Sequence, residues 1–461
     1  MIGRESLRGL RPIFLLILFA LLHTEAARSS DFPTFVETGE NWFLPSRMLL
    51  GYSRGEHADE DYSDEYAGDE YAGEIHLARE PRALLAFWHE DKAGFERDTG
   101  ISFTLAYSAL YQSSSATAAE NDAARQALIL LYDYLSLVPP AGGLQDEAAG
   151  GIFEFSGKWA FVHRGTANEG FIGFDLENRH RIETTLNPQS LFLDNGAFWP
   201  TATAFGQFDT ALLTLYYKQM MFGGRLGIQV GKYLPFAVYD YFSLKNPKAA
   251  FNDLALTVNP AIAWSTWGMG ATVFLKPTPE TYINAGIHDT NGGPRRGVET
   301  FFTEREYFVA VDAGYNTDFS FGKGNIHAMY WHTDARQSAG TPSSYGVTVA
   351  AEQDFYNILP FIRYSYQDGQ AAAVEHFFAG GVGLKQPFGR AKDVIGIGVA
   401  WGVPANRNLF VTNQTSVEAF YRFHLTKELS VSPGITYIRD PPVNLTEDEL
   451  TLFTVRGRAE F

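Results

Sequence analysis

Four charged side chains recur at every second position in this chain: Glu177, Arg179, Arg181 and Glu183. Spacing two puts all four on one face of an extended segment. The aromatic pair Phe198–Trp199 follows in the same stretch, which reads as one long connection over residues 164–208. Carboxylates and guanidinium groups beside aromatic rings suit neutral polyols. The rings stack on sugar C–H surfaces, while Arg and Glu pair with hydroxyls. Such a segment is either a solvated external hairpin or a fold-in that narrows a pore. A second set, Arg225, Arg363, Glu418, Arg422 and Arg456, falls on the polar faces of alternating segments. Together the two sets are mixed in sign, which favours neither anions nor cations.

Motifs for covalent chemistry are weak. GYSRG at 51–55 matches the G-x-S-x-G string, but an acidic run follows it where a nucleophile elbow needs a helix. Gly231–Lys232 looks like the end of a phosphate loop, yet Leu226 and Tyr233 stand where Gly and Ser/Thr belong. His327 and His332 are five apart and so lie on opposite faces of a strand. With no cysteine there is no disulfide framework, thiolate metal site or cysteine nucleophile. The expectation is no catalytic residue, no cofactor and no metal.

The elements that position the charges are strands. From residue 101 onward the pattern has period two. In the last segment Phe453, Val455, Gly457, Ala459 and Phe461 oppose Thr454, Arg456, Arg458 and Glu460. Ile395, Ile397, Val399 and Trp401 oppose Gly396, Gly398 and Ala400, and Ile362, Tyr364 and Tyr366 oppose Arg363, Ser365 and Gln367. Aromatic residues rim the apolar faces, as membrane-interface girdles require, and charges sit in mid-strand on the other face. The segments run about 9–13 residues, enough for a tilted strand to cross a bilayer. Sixteen such segments are expected, among them 101–112, 126–138, 151–163, 209–221 and 224–234. Connections alternate between short and long. Two break the rule: 139–150 is long on the short side, and 370–373 is short on the long side. The fold class expected is all-β: a transmembrane antiparallel β-barrel of about sixteen strands, with a short N-terminal helical or extended segment.

The chain divides into three parts. Residues 1–26 read as a secretory signal, with Arg4, Arg8 and Arg11 ahead of an apolar run at 12–22 and small residues Thr24 and Ala26 before the cut. That run is too short to span a bilayer of about 30 Å. Residues 27–100 form an acidic linker and a short helical stretch. The linker holds nine carboxylates at 56–74, with DEYAG twice in tandem, and reads as solvated, a cation site being the alternative. Residues 101–461 form the barrel.

Composition agrees. The chain of 461 residues is 15% aromatic, yet its mean hydropathy is only −0.14. That is what alternation gives, rather than long apolar runs. The net charge of −17 argues against nucleic acid, which needs a basic face. Loss of the signal would make it −18, half of which comes from residues 56–74.

Several stretches carry a family resemblance. GGRLGIQVGKYLPFAVYDYF (223–242), NAGIHDTNGG (284–293) and GGVGLKQPFGRAKDVIGIGVAWG (380–402) resemble segments of the carbohydrate-selective porin family, OprB. The run at 415–442 is similar to that family's penultimate hairpin through Glu418, Tyr421, Arg422, Pro433, Tyr437, Ile438 and Pro441. The acidic repeat departs from the pattern. The resemblance implies a sixteen-stranded porin in the bacterial outer membrane, monomeric or trimeric, that admits sugars by facilitated diffusion through a constriction of Arg, Glu and aromatic residues. The partners expected are small polar solutes, outer-membrane lipid and the barrel-assembly machinery, which would read the final strand ending in Phe461. A general or ion-preferring porin, a soluble polysaccharide-binding β-protein and a barrel enzyme are the alternatives.

Overall fold

The computed structural model describes residues 80–118, 144–407, 410, 412–444 and 446–461. The signal, the acidic repeat and the expected strand 126–138 lie outside the described residues. Sixteen antiparallel strands close into a barrel, each paired with its sequence neighbours and β1 with β16. The first eight are β1 (Ile101–Ser114), β2 (Glu147–Val162), β3 (Gly170–Arg181), β4 (Phe208–Met221), β5 (Leu226–Tyr233), β6 (Gly268–Leu275), β7 (Thr281–Asp289) and β8 (Tyr307–Phe319). Then come β9 (Gly322–Thr333), β10 (Ser344–Gln353), β11 (Ile358–Asp368), β12 (Val374–Lys385), β13 (Val394–Pro404), β14 (Gln414–His424), β15 (Leu429–Arg439) and β16 (Glu449–Glu460). Phe461 completes the seam: its N–H and carbonyl both bond Leu105 of β1.

The strand count matches the expectation, but the membership differs. Residues 170–181 form β3 rather than part of a loop, and sixteen described strands close the barrel without 126–138. β3 escapes a period-two reading because Phe171 faces the interior while Ile172, Phe174 and Leu176 occupy the alternate positions. Apolar residues on both faces, followed by a charged run, blur the alternation. With β3 in place, the β1–β2 end of the barrel falls on the same side as the long connections. That removes the exception at 139–150, and 369–373 stays short.

Alternation sets the faces. Ile397, Val399 and Trp401 are exposed on the outside, with Ile362, Tyr364, Val417, Ile435 and Phe453. Their neighbours Ala400, Arg363, Glu418 and Arg456 are buried inside. An outer wall of this kind suits lipid, and closure leaves no strand edge unpaired. Outward aromatic clusters mark the short-turn end, where Trp159 packs on Phe161 at 5.0 Å and Phe321 on Phe355 at 5.2 Å. Tyr345, Tyr364 and Trp401 lie exposed toward the long-loop end.

An N-terminal helix, α1 (Ala86–Thr99), lies at the short-turn end and leads into β1 through Gly100, whose φ of 75° suits glycine. It is tied to the β14–β15 turn. Glu428 accepts the Leu84 and Leu85 N–H groups at 3.0 and 3.2 Å and contacts His89 Nε2 at 2.8 Å.

Candidate functional site: a loop folded into the barrel

The longest described loop, residues 234–267 between β5 and β6, turns inward. Its apolar side chains Phe242, Leu244, Phe251 and Leu256 are buried against Phe361, Phe377, Ala400 and Phe420 of the wall. Glycines make the room. A Cβ on Gly398 would come within 2.9 Å of Leu256, and one on Gly402 within 2.8 Å of Trp199. Gly398 of β13 therefore serves close approach of this loop, and Gly402 close approach of the β3–β4 connection that carries Trp199.

Polar hooks from the wall hold the loop. Arg363 on β11 pairs with Asp240 at 2.8 Å and donates to the Ala255 carbonyl at 2.9 Å. Glu418 on β14 accepts the Asn252 and Asp253 N–H groups at 2.8 and 2.9 Å. Arg456 on β16 donates to Asn252 Oδ1 at 2.7 Å and to the Ala250 carbonyl at 2.8 Å. Arg422 reaches the Ala249 carbonyl at 3.1 Å. On the other side Lys248 bridges Glu154 of β2 at 2.8 Å and Glu177 of β3 at 2.6 Å. Loop carbonyls and N–H groups that would otherwise lose hydrogen bonds on leaving water are thereby satisfied.

These pairings tune the loop's own charges. Burial disfavours the charged form of Asp240, but Arg363 and then His327 outweigh it and hold the carboxyl well below the usual carboxylate range. Lys248 is likewise buried, and Glu154 and Glu177 keep its ammonium charged, raising its pKa. Asp253 goes the other way: burial first, and the nearby Glu418 second, push it up to about 8.

Between this loop and the wall of β2–β5 lies a cavity of about 1230 Å³. Glu177, Arg179, Arg181 and Trp199 line it, with Tyr216, Tyr233, Phe236, Trp264 and Trp267. The Arg179 guanidinium sits 4.9 Å from the Phe208 ring centre and 5.4 Å from that of Trp267, and its Nε donates to Glu177 at 2.7 Å. Arg181 is exposed at the end of β3 and donates to the Thr185 carbonyl.

The structure thus divides the ten residues singled out by sequence. Glu177, Arg179, Arg181 and Trp199 meet at the cavity. Arg363, Glu418, Arg422 and Arg456 face inward and engage the loop. Arg225 lies exposed in the β4–β5 turn, and Glu183 is exposed just after β3. Sequence reasoning missed Glu154, Lys218, Asp240 and Lys248. Glu154 and Lys218 stand on alternating segments and were open to the same face argument. Asp240 and Lys248 belong to an irregular loop with no period to read.

Glu154, Asp175 and Glu177 bring carboxylate oxygens within 4.8 Å of one another, a spacing that could hold a cation. The Lys248 ammonium already bridges two of the three.

A closed barrel of sixteen antiparallel strands, apolar outside and polar inside, with a long loop folded into its interior, is the architecture of a porin. The chain belongs to the carbohydrate-selective porin, OprB family, whose model matches residues 171–461. Among solved structures it is similar to OprB of Pseudomonas putida, with a TM-score of 0.64 at 16% identity, covering 84% of this chain and all of that one. Among curated proteins, Porin AaxA of Chlamydia trachomatis is 21% identical over 239 residues, 50% of this chain and 52% of that protein. An uncharacterised protein of Nostoc sp. is 28% identical over 132 residues, 27% of this chain and 22% of that protein. The chain therefore matches about half or less of the length of these curated relatives.

Proposed function

We propose that this chain is a passive channel of the bacterial outer membrane that admits small hydrophilic solutes, sugars foremost, by facilitated diffusion. Family membership and the barrel support a channel rather than an enzyme. The observation that carries the sugar reading is the cavity beside the folded-in loop, where charged groups stand among aromatic rings. Rings offer a face to sugar C–H groups, and Arg179, Arg181 and Glu177 offer donors and acceptors to hydroxyls. Contacts of this kind are weak and spread out, as passage requires, since tight binding would stall release. Arg363, Glu418, Arg422 and Arg456 act indirectly, by fixing the loop that bounds the path. Glu183 and Arg225, exposed at opposite ends of the barrel, would meet solute only at its mouths. The final strand, sealed by Phe461, is the segment the assembly machinery would read.

Liposome swelling with neutral sugars of graded size tests the proposal. Swelling that falls steeply with solute size, and is faster for sugars than for other uncharged solutes of equal size, is expected. Equal rates for all small solutes would leave a general porin without sugar preference. No swelling with folded protein would sink the channel reading.

A further inference from the structure

The cavity is not neutral. Seven Lys and Arg side chains line it against five Asp and Glu, although the whole chain carries −17. Six of the seven cations have a carboxylate, carbonyl or amide oxygen partner. Among the described residues Lys218 has no hydrogen-bond or ion-pair partner. Its ammonium lies over the face of Phe274, 4.0 Å from the ring centre. Lys218 is only 3% exposed, yet it lines the cavity. Its neighbour across the β4–β5 ladder is Gln229, also buried, also at the cavity wall and also without a described partner for its amide. The rings of Tyr216 and Tyr233, 5.9 Å apart, stand beside this pair at the cavity wall.

A buried ammonium carries a desolvation cost unless something of opposite charge or a hydrogen-bond acceptor meets it. Every other cation at the cavity has such a group from the protein. For Lys218 the open side is the solute path. We infer that Lys218 and Gln229 form a subsite for the carboxylate of an acidic sugar, a uronate or aldonate, as it travels through the cavity; the inference rests on the sugar-channel reading above. The ammonium meets the carboxylate, the Gln229 amide serves the carboxylate or an adjacent hydroxyl, and the Tyr216 and Tyr233 rings face the carbon skeleton. The geometry suits a weak, transient contact, because one cation with no second charge beside it does not form a bidentate clamp.

The test uses the full chain in liposomes and measures initial fluxes of labelled glucuronate and glucose. Wild type is expected to pass glucuronate faster than glucose. Lys218→Gln is expected to lower the glucuronate-to-glucose ratio about tenfold, the scale of one charge-assisted hydrogen bond, and Lys218→Arg to restore most of it. Excess galacturonate should slow glucuronate flux far more than excess lactate, a carboxylate with no sugar ring. A wild-type ratio below one, a ratio unchanged in Lys218→Gln, or equal competition by lactate would each overturn the inference. If Lys218→Gln does not insert, the wild-type ratio and the competition decide. Absence of glucose flux in folded wild type would instead overturn the channel reading itself.

Discussion

The guanidinium of Arg363 stands 2.8 Å from the carboxylate of Asp240, with both side chains almost wholly buried inside the barrel. One belongs to the wall and the other to the folded-in loop, so this pair sets the loop's distance from β11. Arg363 also donates to the Ala255 carbonyl at 2.9 Å, which fixes a second point of the loop. Arg363→Ala would leave Asp240 charged and without its strongest partner, a change worth about 3 kcal/mol or more for a buried pair. The loop should loosen, the channel should conduct more and with more noise, and the melting point of the folded barrel should drop. Single-channel recording and a heat-modifiability series check this. Arg363→Lys should recover the charge and lose the second bond, and so fall between the two. Unchanged current and melting in Arg363→Ala would show that the apolar packing of Phe242 and Phe251 holds the loop alone.

Lys248 joins the loop to the opposite wall through Glu154 and Glu177. Lys248→Met leaves Glu154, Asp175 and Glu177, with oxygens within 4.8 Å of one another, short of one cation. Reversal potentials in a salt gradient should shift toward cations, because the local charge becomes more negative by one. Millimolar Ca²⁺ or Mg²⁺ should then reduce the current in the variant and leave wild type little affected. A reversal potential equal to wild type would mean that Arg179 and Arg458 neutralise the cluster without Lys248.

Asp253 gives the loop a pH dependence of definite sign. Burial and Glu418 raise its pKa to about 8, so the folded loop favours the protonated form. The contribution is fully present below the ordinary carboxylate range and is lost as pH rises through about 8. Above that pH two carboxylates, Asp253 and Glu418, face each other at the loop's anchoring point, while Arg456 donates to Asn252 Oδ1 and to the Ala250 and Pro247 carbonyls. Current noise and protease cleavage within residues 234–267 should increase across that interval. Asp253→Asn should flatten the step, since Asn keeps the cap on the Ala255 N–H. A step that survives in Asp253→Asn belongs to another group.

How much of this was legible in the sequence depends on whether a residue sits in a period. Arg363, Glu418 and Arg456 alternate with Ile362, Val417 and Val455, so their inward face followed from register alone. Their task did not follow: strand periodicity says which way a side chain turns, not what folds against it. Four residues, Glu177, Arg179, Arg181 and Glu183, read as one face of an extended connection, either solvated outside or folded in to narrow a pore. The first three lie on β3, where Glu177 and Arg179 are buried by their contacts with Lys248, Phe208 and Trp267. The loop 234–267 has no period because its residues answer to the wall they meet. Asp240 finds Arg363, 123 positions away, and Lys248 finds Glu177, 71 away. Such pairings exist only once the barrel has closed.

Glu428 does for α1 what the helix's own sequence does not. Leu85 at the N-cap position has no side chain able to accept from the first turn. Glu428 supplies the acceptor from the β14–β15 turn instead, taking the Leu84 and Leu85 N–H groups and the His89 ring. Burial opposes ionisation of Glu428, but these bonds from Leu84, His89 and Leu85 outweigh it and lower its pKa. The anchoring is therefore present above the ordinary carboxylate range and is lost as pH falls below it. Glu428→Ala should release α1 while leaving the barrel closed, since Gly100 and the β1 ladder lie beyond the contact. Hydrogen exchange in residues 86–99 should accelerate at least tenfold, the scale of about 1.4 kcal/mol, with β1 protection unchanged. Glu428→Gln, which keeps one acceptor oxygen, should release the helix only in part and no longer respond to acid. Equal exchange in wild type and Glu428→Ala would mean that packing of Lys92 and Trp88 seats the helix without the carboxylate.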